Sequence, residues 1–314
     1  MTSMNIDAQP TQATSQAEPF SIAPETGVGA VHLAVTDGPA MLEFYRDVVG
    51  LTDLGPREGL VRLGAGGREL VVLHPDATGP VVQQRTGLYH LALLVPDRRE
   101  LARVVARLFA MRYPHSPTDH TMTKSDYLWD PDGNGIEVYC ESPEDGRFVY
   151  SEDTFGAIDN EGRPRSGRDP MDLDELFGHL TDADDLQQPM PEATRMGHVH
   201  LHIRDVPEAL GFYHDLMGFD VMGLMRRFGA AFISAGGYHH HLGLNTWAGQ
   251  GAPPPPPGTA GLRHFTMELP SAGDLDTVVA RLRGGGIDVQ EDGAGLWASD
   301  PSSNRLLLKV RDGA

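Results

Sequence analysis

One pattern recurs four times along the 314 residues of this chain, and repetition on this scale limits the possible folds more than any other feature. Each copy begins with a strand of alternating apolar and polar residues that ends at an Asp or a Ser. A segment with helical periodicity and further strands follow. We number the copies as modules one to four. Their opening strands are VGAVHLAVTD (28–37), LYHLALLVPD (88–97), MGHVHLHIRD (196–205) and LRHFTMELPS (262–271).

The helical segments show that the modules form two matched pairs. Module one continues with MLEFYRDVVGL and module three with ALGFYHDLMGF, whereas module two has ELARVVARLFA and module four DLDTVVARLRGGG. Modules two and four also share aligned turns, DPDGNG at 130–135 and DPSSN at 300–304, which predict tight hairpins. The sequence therefore predicts an α+β protein built from a duplicated pair of βαβββ modules.

Composition excludes several classes of function. Cys140 is the one cysteine of the sequence, which excludes an intrachain disulfide and a thiolate metal cluster. The formal net charge of −19 argues against nucleic acids and anionic membranes as partners, because both favour basic surfaces. No apolar run approaches the roughly 20 residues of a membrane-spanning helix, and residues 1–24 lack the features of a signal peptide. We expect a cytoplasmic protein, and a homo-oligomer stays open.

The acidic charge is concentrated in one segment. Residues 141–193 contain 15 Asp or Glu and 4 Arg among 53 residues, with Gly, Pro and Ser throughout. This composition predicts an acidic linker with one short helix near MDLDELFGHL (171–180). The predicted organisation is a disordered tail (1–26), a domain of modules one and two (27–141), the linker (142–193) and a domain of modules three and four (194–314).

The module pattern resembles the vicinal oxygen chelate superfamily, which includes glyoxalase I, bleomycin-resistance proteins and type I extradiol dioxygenases. The resemblance covers residues 27 to about 312 apart from the linker. It implies that the modules pair with one another to form curved sheets.

The residue that ends each opening strand locates equivalent positions in the four modules. Counting back seven residues from Asp37, Asp97, Asp205 and Ser271 gives, in order, Ala30, His90, His198 and His264. His198, His200 and His202 share one face of their strand because side chains alternate. The spacing singles out His198 among these three.

A carboxylate candidate comes from the hairpin turns. Three residues after Asn134 stands Glu137, whereas the equivalent position of module four is Leu307. A carboxylate among apolar strand residues is costly unless a cation compensates its charge. Two imidazoles and one carboxylate form the facial triad of a non-haem Fe(II) site, with positions left for substrate and dioxygen. We therefore predict that His90, Glu137 and His198 bind Fe(II), with Mn(II) as an alternative.

This ligand set requires module two to pair with module three. Pairing within each half of the chain would offer Ala30, His90 and Glu137 from modules one and two, and His198, His264 and Leu307 from modules three and four. If His32, two residues after Ala30, acts as the ligand instead of Ala30, the pairing of modules one and two also gives a complete triad. His32 is therefore the alternative to His198.

The resemblance is sharpest to the catechol 2,3-dioxygenase-like branch of the type I extradiol dioxygenases. That branch has a substrate-facing tyrosine ten residues before the ligand glutamate, which indicates Tyr127, and a histidine upstream of it, which indicates His120 at a shorter spacing. A family histidine pair at the edge of the metal pocket matches His239 and His240 in YHHHLGL (238–244). The resemblance implies His240 and Tyr127 as catalytic residues, and His120 and His239 as substrate-binding residues.

The resemblance also implies the reaction, which is ring cleavage of catechol or a substituted catechol with O2 to a 2-hydroxymuconic semialdehyde-type product. Two other functions stay open. A glyoxalase- or epimerase-like isomerase would use four protein ligands, and His240 or His241 could supply the fourth. A metal-free protein that sequesters an aromatic molecule is the other, although His90 and Glu137 argue against it.

Overall fold

The computed structural model describes residues 20–150 and 155–311. Within these ranges the α-helices are α1 (Gly38–Glu43), α2 (Arg98–Met111), α3 (Leu173–Phe177), α4 (Val206–Leu210) and α5 (Ala272–Gly284). A π-helical segment, Phe44–Val49, continues α1, and its counterpart, Gly211–Leu216, continues α4. A short 3-10 turn covers Arg226–Phe228.

The strands of the first half of the described chain are β1 (Gly27–Ala34), β2 (Thr52–Asp53), β3 (Val61–Ala65), β4 (Arg68–His74), β5 (Gly87–Leu94), β6 (His115–Asp119), β7 (Thr123–Trp129), β8 (Gly135–Glu141), β9 (Gly146–Tyr150) and β10 (Phe155–Asp159). Those of the second half are β11 (Pro164–Arg165), β12 (Asp169–Pro170), β13 (Arg195–His202), β14 (Asp220–Met225), β15 (Ala230–Ser234), β16 (Leu242–Asn245), β17 (Gly261–Leu269), β18 (Gln290–Asp292), β19 (Gly295–Ser299) and β20 (Arg305–Val310).

All four modules have the predicted βαβββ order. In each module the opening strand lies beside the last strand, and the third and second strands follow outward, as in the order β5-β8-β7-β6 of module two. The predicted α+β fold of four modules is confirmed. The residues used to align the modules owe their fixed position to helix capping, since each accepts a hydrogen bond from a backbone N–H three residues later. These N-caps are Asp37, Asp97, Asp205 and Ser271.

The modules pair across the two halves of the chain. Module one joins module four through the antiparallel pair β1–β17, and the resulting one-four sheet has the order β18-β19-β20-β17-β1-β4-β3-β2. Module two joins module three through the antiparallel pair β5–β13, and this two-three sheet has the order β12-β6-β7-β8-β5-β13-β16-β15-β14. The pairing needed for the predicted ligand set is therefore present.

One continuous apolar core serves both sheets. It includes Val31, Leu91, Val199 and Phe265, which lie on the four opening strands and are completely buried. Alternation along these strands places the neighbouring histidines on the opposite face. The core thus orients the histidine face of each sheet away from the packed interior.

Two buried turns connect the modules within each half. In the module-two turn, Asp130 accepts hydrogen bonds from the backbone and side chain of Asn134, and the Tyr45 hydroxyl of module one donates to it at 3.0 Å. In module four Asp300 has the same role, and the Tyr213 hydroxyl of module three donates to it at 3.1 Å. The π-helical segments carry both tyrosines, which explains why the sequence FY recurs there.

The predicted tail and linker segments contribute structure of their own. Residues 1–19 lie outside the described residues, but 20–26 pack on module three, where Ile22 is buried and its N–H donates to Gly218 at 2.8 Å. The segment 142–193 contains the expected short helix, α3, and also the small sheet β11-β10-β9 and the edge strand β12. The exact domain boundaries remain predictions. Along the described chain, no helix is long and apolar enough to cross a membrane.

We predict that Tyr45→Phe and Tyr213→Phe each lower the free energy of unfolding by about 1.5–3 kcal/mol, because each removes one of the hydrogen bonds that a buried carboxylate accepts. Urea denaturation measures the change. The matched control is Tyr113→Phe, whose hydroxyl donates to the Trp129 carbonyl at the protein surface, with an expected loss below about 1 kcal/mol. Equal losses for all three variants would show that the buried turns are not specially stabilised.

Candidate metal centre and cavity

Three neighbouring strands of the two-three sheet bring the predicted ligands together. His90 lies on β5, Glu137 on β8 and His198 on β13, and all three are buried. The Oε2 atom of Glu137 lies 3.1 Å from Nε2 of His90 and 3.2 Å from Nε2 of His198. The two histidine Nε2 atoms are 3.3 Å apart. Three potential ligand atoms thus converge on one point.

A small residue keeps this point open. Ala92 on β5 is the strand partner of His198 on one side and of Glu137 on the other, so its side chain lies on the same face between them. Ala92 is completely buried. A larger side chain there would fill the space onto which the ligand atoms converge.

The protonation states suit a metal ion. Burial alone would raise the pKa of Glu137, but the charge and hydrogen bonds of His198 and His90 outweigh burial and hold that pKa well below its usual range. Burial lowers the pKa of His198 to about 4, despite the nearby Glu137 carboxylate. An ionised carboxylate beside a neutral imidazole is the state in which both groups bind metal.

The residues present fit a metal ion by their donor chemistry and spacing. Adjacent ligands about 2.1 Å from an octahedral ion stand roughly 3 Å apart, which is close to the three distances between these atoms. His90, Glu137 and His198 each offer one ligand atom, and these atoms all lie within 4.8 Å of one another. Two imidazoles with a carboxylate, and no thiolate among the described residues of this group, favour a first-row transition metal.

The ligand atoms lie in the wall of a cavity of about 350 Å³. Tyr127 lines this cavity and donates to Nε2 of His120 at 2.8 Å, while Nδ1 of His120 donates to the Gly167 carbonyl at 2.5 Å. The Gly167 carbonyl oxygen can only accept, so Nδ1 of His120 carries the proton and its Nε2 accepts from the Tyr127 hydroxyl. Burial, followed by the Glu137 charge, raises the pKa of Tyr127 well above its usual value, so its hydroxyl stays protonated.

The segment 142–193 closes the other side of the cavity. Phe148 and Tyr150 of β9 and Arg168 line it, and the Gly167 carbonyl fixes His120. This segment is therefore part of the site as well as a connection between the halves.

His239 and His240 form a hydrogen-bonded pair that a carboxylate orients. Nε2 of His239 donates to Glu141 at 3.1 Å, and the Tyr238 hydroxyl donates to the same carboxylate oxygen at 2.5 Å. Since Nε2 of His239 carries the proton, its Nδ1 is an acceptor, and Nδ1 of His240, 2.8 Å away, must donate to it. His240 lines the cavity, and its remaining nitrogen, Nε2, is an unprotonated acceptor.

The remaining histidine candidates lie elsewhere. His241 does not line this cavity, and its Nδ1 accepts a hydrogen bond from the Ala235 N–H and lies 3.0 Å from the Ser234 hydroxyl, so it is not placed to be a fourth ligand. His32, the alternative to His198, lies in the one-four sheet, where its ring stacks on His264 at 3.9 Å. The alternative triad with His32 is therefore wrong, because β1 pairs with β17 and not with β5.

The comparison with known proteins identifies the family. A family model described as the Glyoxalase/Bleomycin resistance protein/Dioxygenase superfamily matches residues 27–138 and 195–298. The chain is 38% identical to a catechol-2,3-dioxygenase of Bacillus subtilis (strain 168) over 293 residues, which is 92% of this chain and 99% of that protein. The chain belongs to this superfamily. The predicted resemblance to its catechol 2,3-dioxygenase-like branch is confirmed, and the protein is an enzyme of that branch.

Solved structures share the fold. A protein of Bacillus subtilis subsp. subtilis strain 168 superposes with a TM-score of 0.61 at 14% identity, covering 94% of this chain and 87% of that one. Glyoxalase I from Zea mays superposes with a TM-score of 0.51 at 13% identity, covering 90% of this chain and 92% of that one. The four-module arrangement is therefore shared with these solved structures.

The sequence analysis assigned no role to two residues of this site. His200 lines the cavity, is buried, and its Nε2 has no hydrogen-bond partner among the described residues. Alternation along β13 places it on the face of His198, and that was the available signal. Glu141 ends β8 next to Cys140, and no spacing rule marks it. Its contact with His239 depends on a loop of module three.

We predict that histidine-selective ¹⁵N NMR of the metal-free protein shows His239 as the Nε2–H tautomer and His240 as the Nδ1–H tautomer. Glu141→Leu removes the acceptor that fixes both, so the His239 and His240 signals should move toward a mixture of tautomers. Glu141→Gln keeps an acceptor oxygen and should preserve the pattern. Identical spectra for Glu141→Leu and the wild type would contradict the assignment.

Proposed function

We propose that this protein is an extradiol dioxygenase that cleaves catechol or a substituted catechol with O2 at a non-haem Fe(II) site. Both oxygen atoms enter the product, a 2-hydroxymuconic semialdehyde-type compound, as the bond beside the diol breaks. The observation that carries the proposal is the convergence of His90, Glu137 and His198 in a cavity of about 350 Å³, in a chain closely related to a catechol-2,3-dioxygenase.

The proposed ligands are His90, Glu137 and His198, with Fe(II) as the ion and Mn(II) as the alternative. When bound there, the ion would supply positions for both catechol oxygens and for dioxygen, and would carry electrons between them. All other roles in the reaction fall to side chains of this chain.

Tyr127 and His120 are proposed to orient the substrate. The Tyr127 side chain lines the cavity, and the centroid of its ring lies 5.6 Å from that of the His90 ring. His120 and the Gly167 carbonyl hold the hydroxyl in one direction, so little freedom is lost when its oxygen accepts a hydrogen bond from a substrate hydroxyl.

His240 is proposed to transfer protons. A catechol binds a metal through both oxygens after losing a proton, and Nε2 of His240 is the acceptor that the Glu141–His239 chain leaves unprotonated. The ring of His240 lies 4.2 Å from that of His198, which places it beside the ligands. The same nitrogen can later return the proton to the product. His239 contributes by fixing this orientation.

The apolar walls exclude water from the reacting groups. Phe148, Phe232, Leu128 and Ile136 line the cavity together with the polar groups described above. Few competing water molecules then remain beside the substrate, which strengthens the hydrogen bonds that orient it.

We predict that protein loaded with Fe(II) under anaerobic conditions consumes one O2 per catechol and forms a yellow product. His90→Gln should lower iron affinity at least about tenfold and abolish oxygen uptake, since it removes a ligand. An oxygen electrode and metal analysis after dialysis provide the measurements, and a Mn(II)-loaded sample tests the alternative ion.

The matched control for the ligand test is His264→Gln, the same substitution at the equivalent position of the one-four sheet. It should change neither iron content nor oxygen uptake. If the iron-loaded wild type takes up no oxygen with catechol, or if His90→Gln retains its activity, the proposed function fails.

We predict that His240→Gln leaves the iron content unchanged but lowers the turnover number for catechol at least roughly tenfold, since it removes the proton acceptor. His241→Gln, which alters the neighbouring imidazole outside the cavity, should keep the wild-type rate per folded protein. Stopped-flow measurement of product formation distinguishes the two. Equal rates for wild type and His240→Gln would refute the proton-transfer role.

A further inference from the structure

Three aromatic side chains stand where the metal-site cavity meets a second cavity. The second cavity has a volume of about 400 Å³ and lies toward the one-four sheet. Both cavities are lined by Tyr89, Trp129 and Trp247, which we call the aromatic junction. These side chains are 37%, 52% and 40% exposed, respectively. Large apolar surface gathered at one exposed place is typical of a binding site.

A β-bulge turns Tyr89 toward the cavity. His90 pairs with His200 and Leu88 pairs with Leu201, so Tyr89 is an extra residue in β5. In a regular strand the neighbour of His90 would point to the opposite face, but the bulge directs Tyr89 to the same side. Its ring lies 5.0 Å from that of His90.

Trp129 and Trp247 hold defined positions beside it. Trp129 stands two residues after Tyr127 on β7, on the same face and roughly 7 Å further along the strand. Its strand partner is Gly135, which has no side chain to cover the indole. The indole N–H of Trp247 donates to the Phe228 carbonyl at 2.7 Å, and its ring meets that of Tyr89 edge-on at 5.2 Å.

The duplicated sheet shows that the fold does not require aromatic residues at these positions. The equivalents of Tyr89, Trp129 and Trp247 in the one-four sheet are Arg263, Ser299 and Asp76. Arg263 is also an extra residue in its strand, and it forms an ion pair with Asp76. The one-four sheet lacks the carboxylate ligand as well, since Leu307 replaces it. The aromatic residues therefore accompany the metal-binding positions.

We infer that the aromatic junction is a subsite for a planar apolar substituent on the catechol ring, so that aryl-substituted catechols are the preferred substrates. This inference rests on the proposed function. With the diol oxygens beside the ligands, a substituent pointing out of the cavity contacts the junction. There, aromatic edges and faces bind it in the offset or edge-on arrangements that aromatic rings favour.

The test compares kcat/KM for catechol, 3-phenylcatechol and 4-phenylcatechol with the iron-loaded enzyme. The wild type should prefer at least one phenylcatechol to catechol by about tenfold or more, because a phenyl ring buries a large apolar area. Trp129→Ala and Trp247→Ala should each lower this ratio at least about fivefold, and Trp129→Phe should restore most of it. Ser299→Ala, at the position equivalent to Trp129, should leave the ratio unchanged.

A binding measurement provides a readout that does not depend on turnover. Anaerobic titration with the preferred phenylcatechol should quench the fluorescence of the wild type, and Trp129→Ala and Trp247→Ala should each remove part of the quenched signal. Trp297, the third tryptophan of the sequence, lies in the one-four sheet and should contribute unquenched emission.

The outcomes separate the two proposals. If catechol is cleaved but neither phenylcatechol is preferred, or if the tryptophan variants keep the wild-type ratio, the subsite is refuted and the dioxygenase proposal stands. If no catechol is cleaved, the dioxygenase proposal fails. In that case, an absence of tryptophan quenching by phenylcatechol would refute the subsite as well.

Discussion

The site depends on the antiparallel pairing of β5 with β13. This pair joins modules two and three and places His90 beside His200, with His198 two residues further along the same face. On its other side β5 lies parallel to β8, which adds Glu137. A shift of this register by one residue would turn the imidazoles into the apolar core, so the packing of Leu91 and Val199 also fixes the site. Stability and chemistry are thus set by the same strand pair.

The duplicated chain keeps its structural interactions in both copies and its chemistry in one. The helix caps, the buried turns at Asp130 and Asp300 and the tyrosines that donate to them recur with nearly the same distances. The one-four sheet retains His264 but has Leu307 in place of the carboxylate, and its histidines contact one another: Nδ1 of His32 lies 3.0 Å from Nε2 of His74. With Leu307 at the position of the glutamate, that cluster lacks the carboxylate that accompanies the imidazoles of the two-three sheet.

Much of this arrangement could be predicted from the sequence, because it depends on local rules. Asp97 and Asp205 are helix N-caps, which fixes their position at the end of the opening strand. Counting back seven residues from them therefore identifies His90 and His198, whichever strands pair. The pairing of modules two and three is not a local property, and the sequence left His32 open as a ligand. Tyr89 could not be placed either, since a bulge reverses the face that alternation assigns to it. The strands of the 142–193 segment are short. β9, β10 and β11 pair with one another, and β12 forms by pairing with β6 of module two, which local sequence does not reveal.

The histidine run at 239–241 shows how three adjacent identical residues acquire different environments. The run precedes β16 and is not itself part of a strand, so simple alternation does not govern its side chains. His239 turns to Glu141, His240 turns into the cavity, and His241 bonds to Ser234 on the far side. The carboxylate acts on the cavity through His239, because a proton fixed on one nitrogen determines which nitrogen of the next ring is free. Glu141, which is not one of the proposed ligands, therefore sets the hydrogen-bonding character of the free nitrogen of His240.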